Sequence, residues 1–413
     1  MNKELAEAIV TIFRDGGRER QEAQLVHFNL RDWERTFSWL DGSGLALYLL
    51  DRIRTLRLEA SVPAEVLDSL NQKQLDNEAR TDDIFQEFMK INIEFQRSNV
   101  RYLNLKGLTL VPRFCSDPTL RFQLDLDFLV YERDAKHCSE ILMMLGYLPV
   151  ARSGNTWEFK ASGHVIPLMR DMYKPKPQRS VELHLVSESR ANAATSAFLR
   201  RRFVTWRDFA YPALCESDLF LSQSNHLFKH LLSEWTRPSW VWEYRMCVVR
   251  SRDDETFWRE VKERTAQTGY RVNAIRAAAR LASTMFGTCE VPALDEWIAE
   301  SLPRPIDLWI DRYGKDILMA KFPGSKLYLL LKEKGSDTEH LPHRGRMKKL
   351  LPVRRPLPIT VSLKVKKLST AWWSRLSIES RYFGFRLNFH VTAGLRYLLE
   401  VPCWKRAVAD VNG

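Results

Sequence analysis

Asp125 and Asp127, in the run Leu120–Val130 (LRFQLDLDFLV), are the residues whose type and spacing most clearly suit chemistry. Side chains two apart on a strand emerge on one face, so the two carboxylates stand side by side among Leu124, Leu126 and Phe128. Like charges held that close repel unless a cation lies between them, and the usual cation is a divalent metal with oxygen ligands. Mg²⁺ fits best, with Mn²⁺ as the alternative. It takes one or two carboxylates together with substrate phosphates, which suits an Asp-x-Asp strand to nucleoside triphosphate chemistry. The plain alternative is a pair of solvated aspartates at the exposed end of a strand.

Neighbouring residues favour the metal. Lys106-Gly107 ends one strand and opens a short helix at LTLVPRF; the free N–H groups of a helix start, with a glycine that allows close approach, make a cradle for phosphate. Arg121 carries a planar donor fork suited to phosphate oxygens, although a lone arginine is as readily a surface residue. Glu182, in Val181–Val186 (VELHLV), supplies a third carboxylate if its strand adjoins the first. His184, on the same face, offers a phosphate contact or a supporting hydrogen bond, against a purely structural role.

The elements that must position these residues follow from periodicity. Residues 1 to about 98 read as helices, with Ile84, Phe88, Ile91 and Phe95 marking one buried stripe. Val100–Leu105 alternates as a strand, LDLDFLV is the second strand, and a helix from Asp134 to Leu145 stops at Gly146. Strand-like pieces continue at Tyr147, Trp157-Glu-Phe, His164-Val-Ile and VELHLV. The reading is an α+β protein. A small mixed-sheet core spans 99–192, between an N-terminal helical region (1–98) and a helical domain (193–305); a basic C-terminal region follows (306–413). Between 341 and 370 nine Lys or Arg fall with no Asp or Glu and with four prolines, which predicts an extended arm or linker rather than a helix. That arm is a candidate contact for a polyanion.

Composition narrows the classes. At 413 residues with 45% hydrophobic residues, the chain can bury more than one domain-sized core. Six cysteines without a CxxC pair argue against a disulfide framework or a cysteine zinc site and fit a reduced cytoplasm. The first residues, MNKELAEAIVTIFRDGG, lack the apolar core of a signal peptide, and no apolar run is long enough to cross a membrane. The net charge of +12 attracts polyanions without choosing among them. His226 and His230 stand four apart on one helical face, but HLFKH lacks the glutamate of the metalloprotease motif, so packing or hydrogen bonding is the expected role.

LKG, then an arginine, then DLDFLV, then VELH in a later strand resembles the bacterial family called uncharacterised nucleotidyltransferase, of the DNA polymerase β-like nucleotidyltransferase superfamily. The likeness spans about residues 30 to 290 and includes helices before LKG and the histidine-bearing helix Asn225–His230. The resemblance implies a Mg²⁺-dependent transferase that moves a nucleoside monophosphate from a triphosphate to an acceptor with release of pyrophosphate. It implies that Asp125, Asp127 and Glu182 hold the metal, with Glu182 also orienting or deprotonating the acceptor hydroxyl. Lys106 and Gly107 stand where the superfamily carries a Gly-Ser pair over the phosphates, with no serine following and Thr109 as its candidate substitute; Arg121 and His184 complete the phosphate contacts. The acceptor, whether small molecule, peptide, protein or RNA, is expected to enter between the α/β core and residues 195–300. Two other readings stay open: a catalytically inactive relative acting as a binding or adaptor protein through its basic arm, and a glycosyltransferase that uses Asp-x-Asp to hold a sugar nucleotide. The last needs a strand-helix-strand half before the motif, where this sequence reads as helices.

Overall fold

The computed structural model describes residues 1–161, 172–175, 180–187, 200–268, 272–299, 302–322, 324–335, 350, 361–362 and 372–412. Helices α1 (Lys3–Ile12), α2 (Arg18–Leu25), α3 (Leu30–Ser43), α4 (Ala46–Leu56) and α5 (Ala64–Arg97) fill the first part of the chain. No strand precedes the aspartates except β1 (Tyr102–Leu105), so the sugar-nucleotide reading lacks the half-domain it requires.

The other strands are β2 (Asp125–Tyr131), β3 (Tyr147–Ser153), β4 (Thr156–Ala161), β5 (Ser180–Val186), β6 (Arg202–Trp206), β7 (Phe209–Ala213) and the two-residue β8 (Val361–Ser362). They form one mixed sheet in the order β6-β7-β1-β2-β5-β4-β3-β8. Helix α6 (Ala135–Met144) follows β2, and Gly146, at φ 88°, turns the chain into β3. This is the α+β architecture expected, with helices on both sides of the sheet in sequence.

Alternation along the strands gives the sheet two different faces. Leu126, Phe128 and Val130 of β2, with Val181 and Leu183 of β5, lie on the face covered by α5 and α6. Phe88 and Phe95 of α5 meet Phe128 at ring-centroid distances of 6.3 and 5.3 Å. Burying side chains of this size contributes about 1.5–3 kcal/mol each, which fixes the register: a slip of one residue would send the carboxylates into this core. On the opposite face Leu105 and Leu129 pack against a second core, built jointly from α1–α4 and from helices after Ala213. These include α7 (Glu216–Leu231), α8 (Pro238–Arg250), α9 (Glu255–Thr268) and α10 (Val272–Phe286). Asp125 and Asp127 therefore face the helical half.

Three details depart from the sequence reading. Residues 202–213, expected to be helical, are the hairpin β6–β7, which extends the sheet beyond β1. Its turn residues Arg207 and Asp208 both have positive φ (48° and 62°); such turns normally display Asn-Gly or Asp-Gly, so Arg-Asp hid the hairpin. The helix expected at LTLVPRF is a four-residue 3₁₀ turn, Gly107–Leu110, which stops at Val111 because the next residue is Pro112. The presumed arm touches the body at least twice, through buried Leu350 and through Val361–Ser362 paired with β3; the rest of 341–370, and the strand expected at His164-Val-Ile, lie outside the described residues.

Candidate active site

The loop that delivers Asp125 is clamped by α5. Asn77 donates to the carbonyls of Thr119 (2.6 Å) and Arg121 (3.3 Å), and Arg80 donates to the carbonyl of Gln123 (3.1 Å). Gln123 in turn donates to the Asp125 carbonyl at 2.9 Å and packs beneath Gly107. A Cβ on Gly107 would lie 2.4 Å from the Gln123 amide nitrogen, and Gly107 also holds φ 49°. Close approach explains this glycine, but the group approaching it is Gln123.

Strand pairing sets the carboxylates. β2 and β5 are parallel neighbours with Asp127 opposite Glu182 and Asp125 opposite Ser180, so the adjacency needed by the third carboxylate is present. Asp127, Glu182 and His184 bring ligand-capable atoms within 4.8 Å of one another. Asp125 does not belong to that tight group; it stands one row away on the same face. His184, expected as a phosphate contact or a supporting hydrogen bond, lies among the carboxylates: its Nε2 is 2.8 Å from Asp127 Oδ1 and 3.4 Å from Glu182 Oε2.

Lys106 is the second cation in the cluster. The antiparallel register of β1 and β2 sets Leu105 opposite Asp127, and Lys106, at φ 54°, turns its Nζ to Asp127 Oδ1 at 2.9 Å. Thr109 donates its hydroxyl to the Lys106 carbonyl (2.8 Å), bracing the turn. Arg121 ion-pairs with Glu243 of α8 (3.0 Å), and Glu243 also accepts from Tyr48 (2.9 Å). Arg121 thus lies beside the site as a paired, half-buried charge.

The electrostatics follow from this geometry. Asp127 is almost wholly buried, which alone would raise its pKa, yet hydrogen bonds and charge from His184 and Lys106 hold it well below the usual carboxylate range. Asp125 moves the other way: burial and the Asp127 charge raise it to about 7, against the pull of Lys106. Burial opposes charge on His184, but hydrogen bonds to Asp127 and Glu182 raise it to about 9. The face therefore carries an excess of negative charge that two cationic side chains only partly offset.

Several residues beside this cluster were not foreseen. The guanidinium of Arg237, at the N-cap of α8, makes no hydrogen bond or ion pair among the described residues; it lies 5.9 Å from the Phe122 ring centroid and 5.5 Å from that of Trp240. Its pKa is lowered by burial and then by Arg121, and pulled back up by Tyr173 and Asp125. His226 and His230 pack on each other (4.5 Å) and on Trp240 (4.9 and 4.5 Å), which agrees with a packing role. Glu158 of β4, opposite Glu182, extends the acidic row but pairs with Lys160 at 3.0 Å. The only sequence hint to Arg237 was its place just before Pro238 at a helix start.

Comparison with known proteins accords with this arrangement. Residues 29–287 match the profile of a family described as uncharacterised nucleotidyltransferase. None of the curated proteins compared matches. Among solved structures, the chain is similar to an antigenic nucleotidyltransferase-like protein from Paracoccidioides brasiliensis at 10% identity and a TM-score of 0.28, over 48% of this chain and 90% of that one; a likeness this slight carries no argument.

Proposed function

Because the chain belongs to the uncharacterised nucleotidyltransferase family, we propose that it transfers a nucleoside monophosphate from a nucleoside triphosphate to an acceptor hydroxyl with release of pyrophosphate. The observation that carries this reading is the gathering of Asp127, Glu182 and His184, with Lys106 on Asp127, on the sheet face that looks toward the helical half.

The residues present suit a hard divalent cation. Their donors are carboxylate oxygens, and the raised proton affinity of Asp125 marks surplus negative charge that a cation would relieve. Asp125, Asp127 and Glu182 would hold it, Mg²⁺ in the first instance and Mn²⁺ in the second. When bound, the metal supplies positive charge that offsets the triphosphate and the charge that develops on the transferring group. The protein's own groups do the rest. Lys106 and His184 fix Asp127 in one orientation, which lowers the reorganisation needed during reaction. Arg237 and Arg121 border the Asp125 side and attract the phosphates. Glu182 has 28% of its side chain exposed, so it can accept the acceptor hydroxyl's proton as that oxygen bonds to the α-phosphorus and the α–β phosphate bond breaks. Gly107 and Thr109 shape the Lys106 turn and contribute to the phosphate side through it.

The test is calorimetric titration of ATP, GTP, CTP and UTP, with and without Mg²⁺, into the wild type and Asp125→Asn/Asp127→Asn. Metal-dependent binding lost in the variant supports the proposal; absence of binding by any triphosphate defeats it. A non-catalytic binding protein is the second reading, favoured by one observation: Lys106 and His184 both occupy Asp127 Oδ1. Binding without pyrophosphate release in the presence of acceptor candidates would select it. A cytoplasmic setting is part of the proposal, supported by six cysteines that are all free.

A further inference from the structure

A glycine in the turn after β1 would let a phosphate approach the chain, but at Gly107 that space is taken. Gln123 lies over it, with its Nε2 2.4 Å from where a Cβ on Gly107 would stand, and donates to the Asp125 carbonyl at 2.9 Å. Two side chains of the turn are engaged as well: Lys106 Nζ meets Asp127 Oδ1 at 2.9 Å, and the buried Thr109 hydroxyl donates to the Lys106 carbonyl at 2.8 Å. The turn orders Asp127, and the far end of a triphosphate must be met elsewhere.

Unused donors stand on the helical side, on α7 and α8. The half-buried Arg237 guanidinium, without hydrogen bond or ion pair among the described residues, is held by ring faces alone, those of Phe122 and Trp240. Phe122 comes three residues before Asp125, so this cation stands at the Asp125 end of β2. Burial and then the charge of Arg121 work against it, and Arg121 is itself matched by Glu243 at 3.0 Å. Like charges brought together out of water mark a place for an anion. Trp240 also packs against the His226 ring, edge to face at 4.9 Å. His230 is anchored to the Trp235 carbonyl at 3.3 Å, whereas the half-buried His226 imidazole makes no hydrogen bond among the described residues. Burial, then His230 and Lys106, hold that ring neutral, with Asp127 and Arg121 also in electrostatic reach, so His226 looks onto the same carboxylates. Polar groups of half-buried side chains call for a partner. A neutral imidazole can give an N–H to a phosphate oxygen without adding to the positive charge already gathered there.

Resting on the transfer reading above, we propose that Arg237 and His226 seat the β- and γ-phosphates, so that the helical side, rather than the turn after β1, selects a triphosphate over a diphosphate and holds the departing pyrophosphate at the Asp125 end. As the acceptor oxygen bonds to the α-phosphorus and its proton passes to Glu182, the α–β P–O bond breaks and its electron pair stays on the pyrophosphate, beside Arg237. Calorimetry in Mg²⁺ would compare ATP, or whichever of GTP, CTP and UTP binds better, with the corresponding diphosphate. The wild type is expected to bind the triphosphate at least about tenfold more tightly. Arg237→Gln and His226→Phe are each expected to weaken the triphosphate about tenfold and the diphosphate about threefold or less, which narrows the ratio. The phenylalanine keeps the packing on Trp240, and His226→Gln, which restores a donor, should recover part of the ratio. Thr109→Val, in the turn, should leave the ratio as it is. A wild type that binds no triphosphate defeats the transfer reading and this one together. Triphosphate binding with a ratio that Arg237→Gln and His226→Phe leave unchanged, or that Thr109→Val narrows as much as they do, defeats this inference alone.

Discussion

Replacing Asp125 by Asn should stabilise the ligand-free protein at alkaline pH while abolishing triphosphate binding. Asp125 is partly buried beside Asp127, and burial together with that neighbouring charge raises its pKa from 3.8 to about 7. A carboxyl whose pKa is higher folded than unfolded binds more protons in the folded state between those two values. Its ionisation therefore costs stability as pH rises from about 4 through about 7, and the cost is complete above that. At about 1.4 kcal/mol per tenfold change in proton affinity, the full difference corresponds to roughly 4 kcal/mol; partial solvent access and the nearby Lys106 reduce this to about 1–3 kcal/mol. Asparagine keeps the shape and removes the charge. Urea unfolding in a chelator at pH 5 and pH 8 should show a gain for Asp125→Asn of about 1–3 kcal/mol at the higher pH and a gain of roughly a third of that at the lower. Excess Mg²⁺ at pH 8 should narrow that gap by stabilising only the wild type. A variant less stable than wild type at pH 8, or a gain of equal size at both pH values, would refute the reasoning, because the carboxylate would then be satisfied by its surroundings with no cation required.

Other consequences follow from single contacts. Arg237→Gln should weaken Mg²⁺-triphosphate binding about tenfold, the worth of about one charged hydrogen bond, with little loss of stability because Arg237 makes no ion pair to break among the described residues; calorimetry and urea unfolding separate the two effects. Gly107→Ala should cost about 1–3 kcal/mol, since the residue holds φ 49° and its Cβ would strike Gln123; a neutral result in urea would show that Gln123 can move aside freely. Burial lowers His230 to about 4 and lowers His226 well below its ordinary value, each helped by its neighbours. A histidine depressed in the folded state contributes no loss above about 6.5 and destabilises as pH falls from there toward about 4. His226→Gln/His230→Gln should therefore flatten the acid side of the stability profile, measured as the urea midpoint between pH 7 and pH 4.5; an unchanged slope would place acid sensitivity elsewhere.

What could be read from the sequence was what depends on local period. The two-residue repeat of a strand put Asp125 with Asp127 and Glu182 with His184, and the three- and four-residue stripe of α5 marked the surface on which the sheet's other side rests. The carboxylate partners of the cations are not local and could not be read that way. Lys106 meets Asp127 because an antiparallel register brings residue 105 opposite residue 127, and nothing within reach of a motif encodes that register. Arg121 finds Glu243 across 122 positions and Tyr48 reaches the same carboxylate across 195. The hairpin at 202–213 escaped because its turn achieves positive φ with Arg-Asp in place of a residue that advertises it.

The same distinction explains why the donor group closest together is Asp127, Glu182 and His184 rather than three carboxylates. Residues directly opposite on neighbouring strands approach more closely than residues one row apart, so Glu182 joins Asp127, its partner, and His184 joins from the next row by reaching back with a longer side chain. Asp125 is opposite Ser180, which offers no charge, and its carboxyl is left with a raised proton affinity. A protein selected for stability alone would have little reason to keep an aspartate there. Its presence alongside a carboxylate already held by Lys106 and His184 is understandable if the missing positive charge arrives with the substrate, which makes Asp125 the residue whose protonation state should respond first when a metal-bound triphosphate enters.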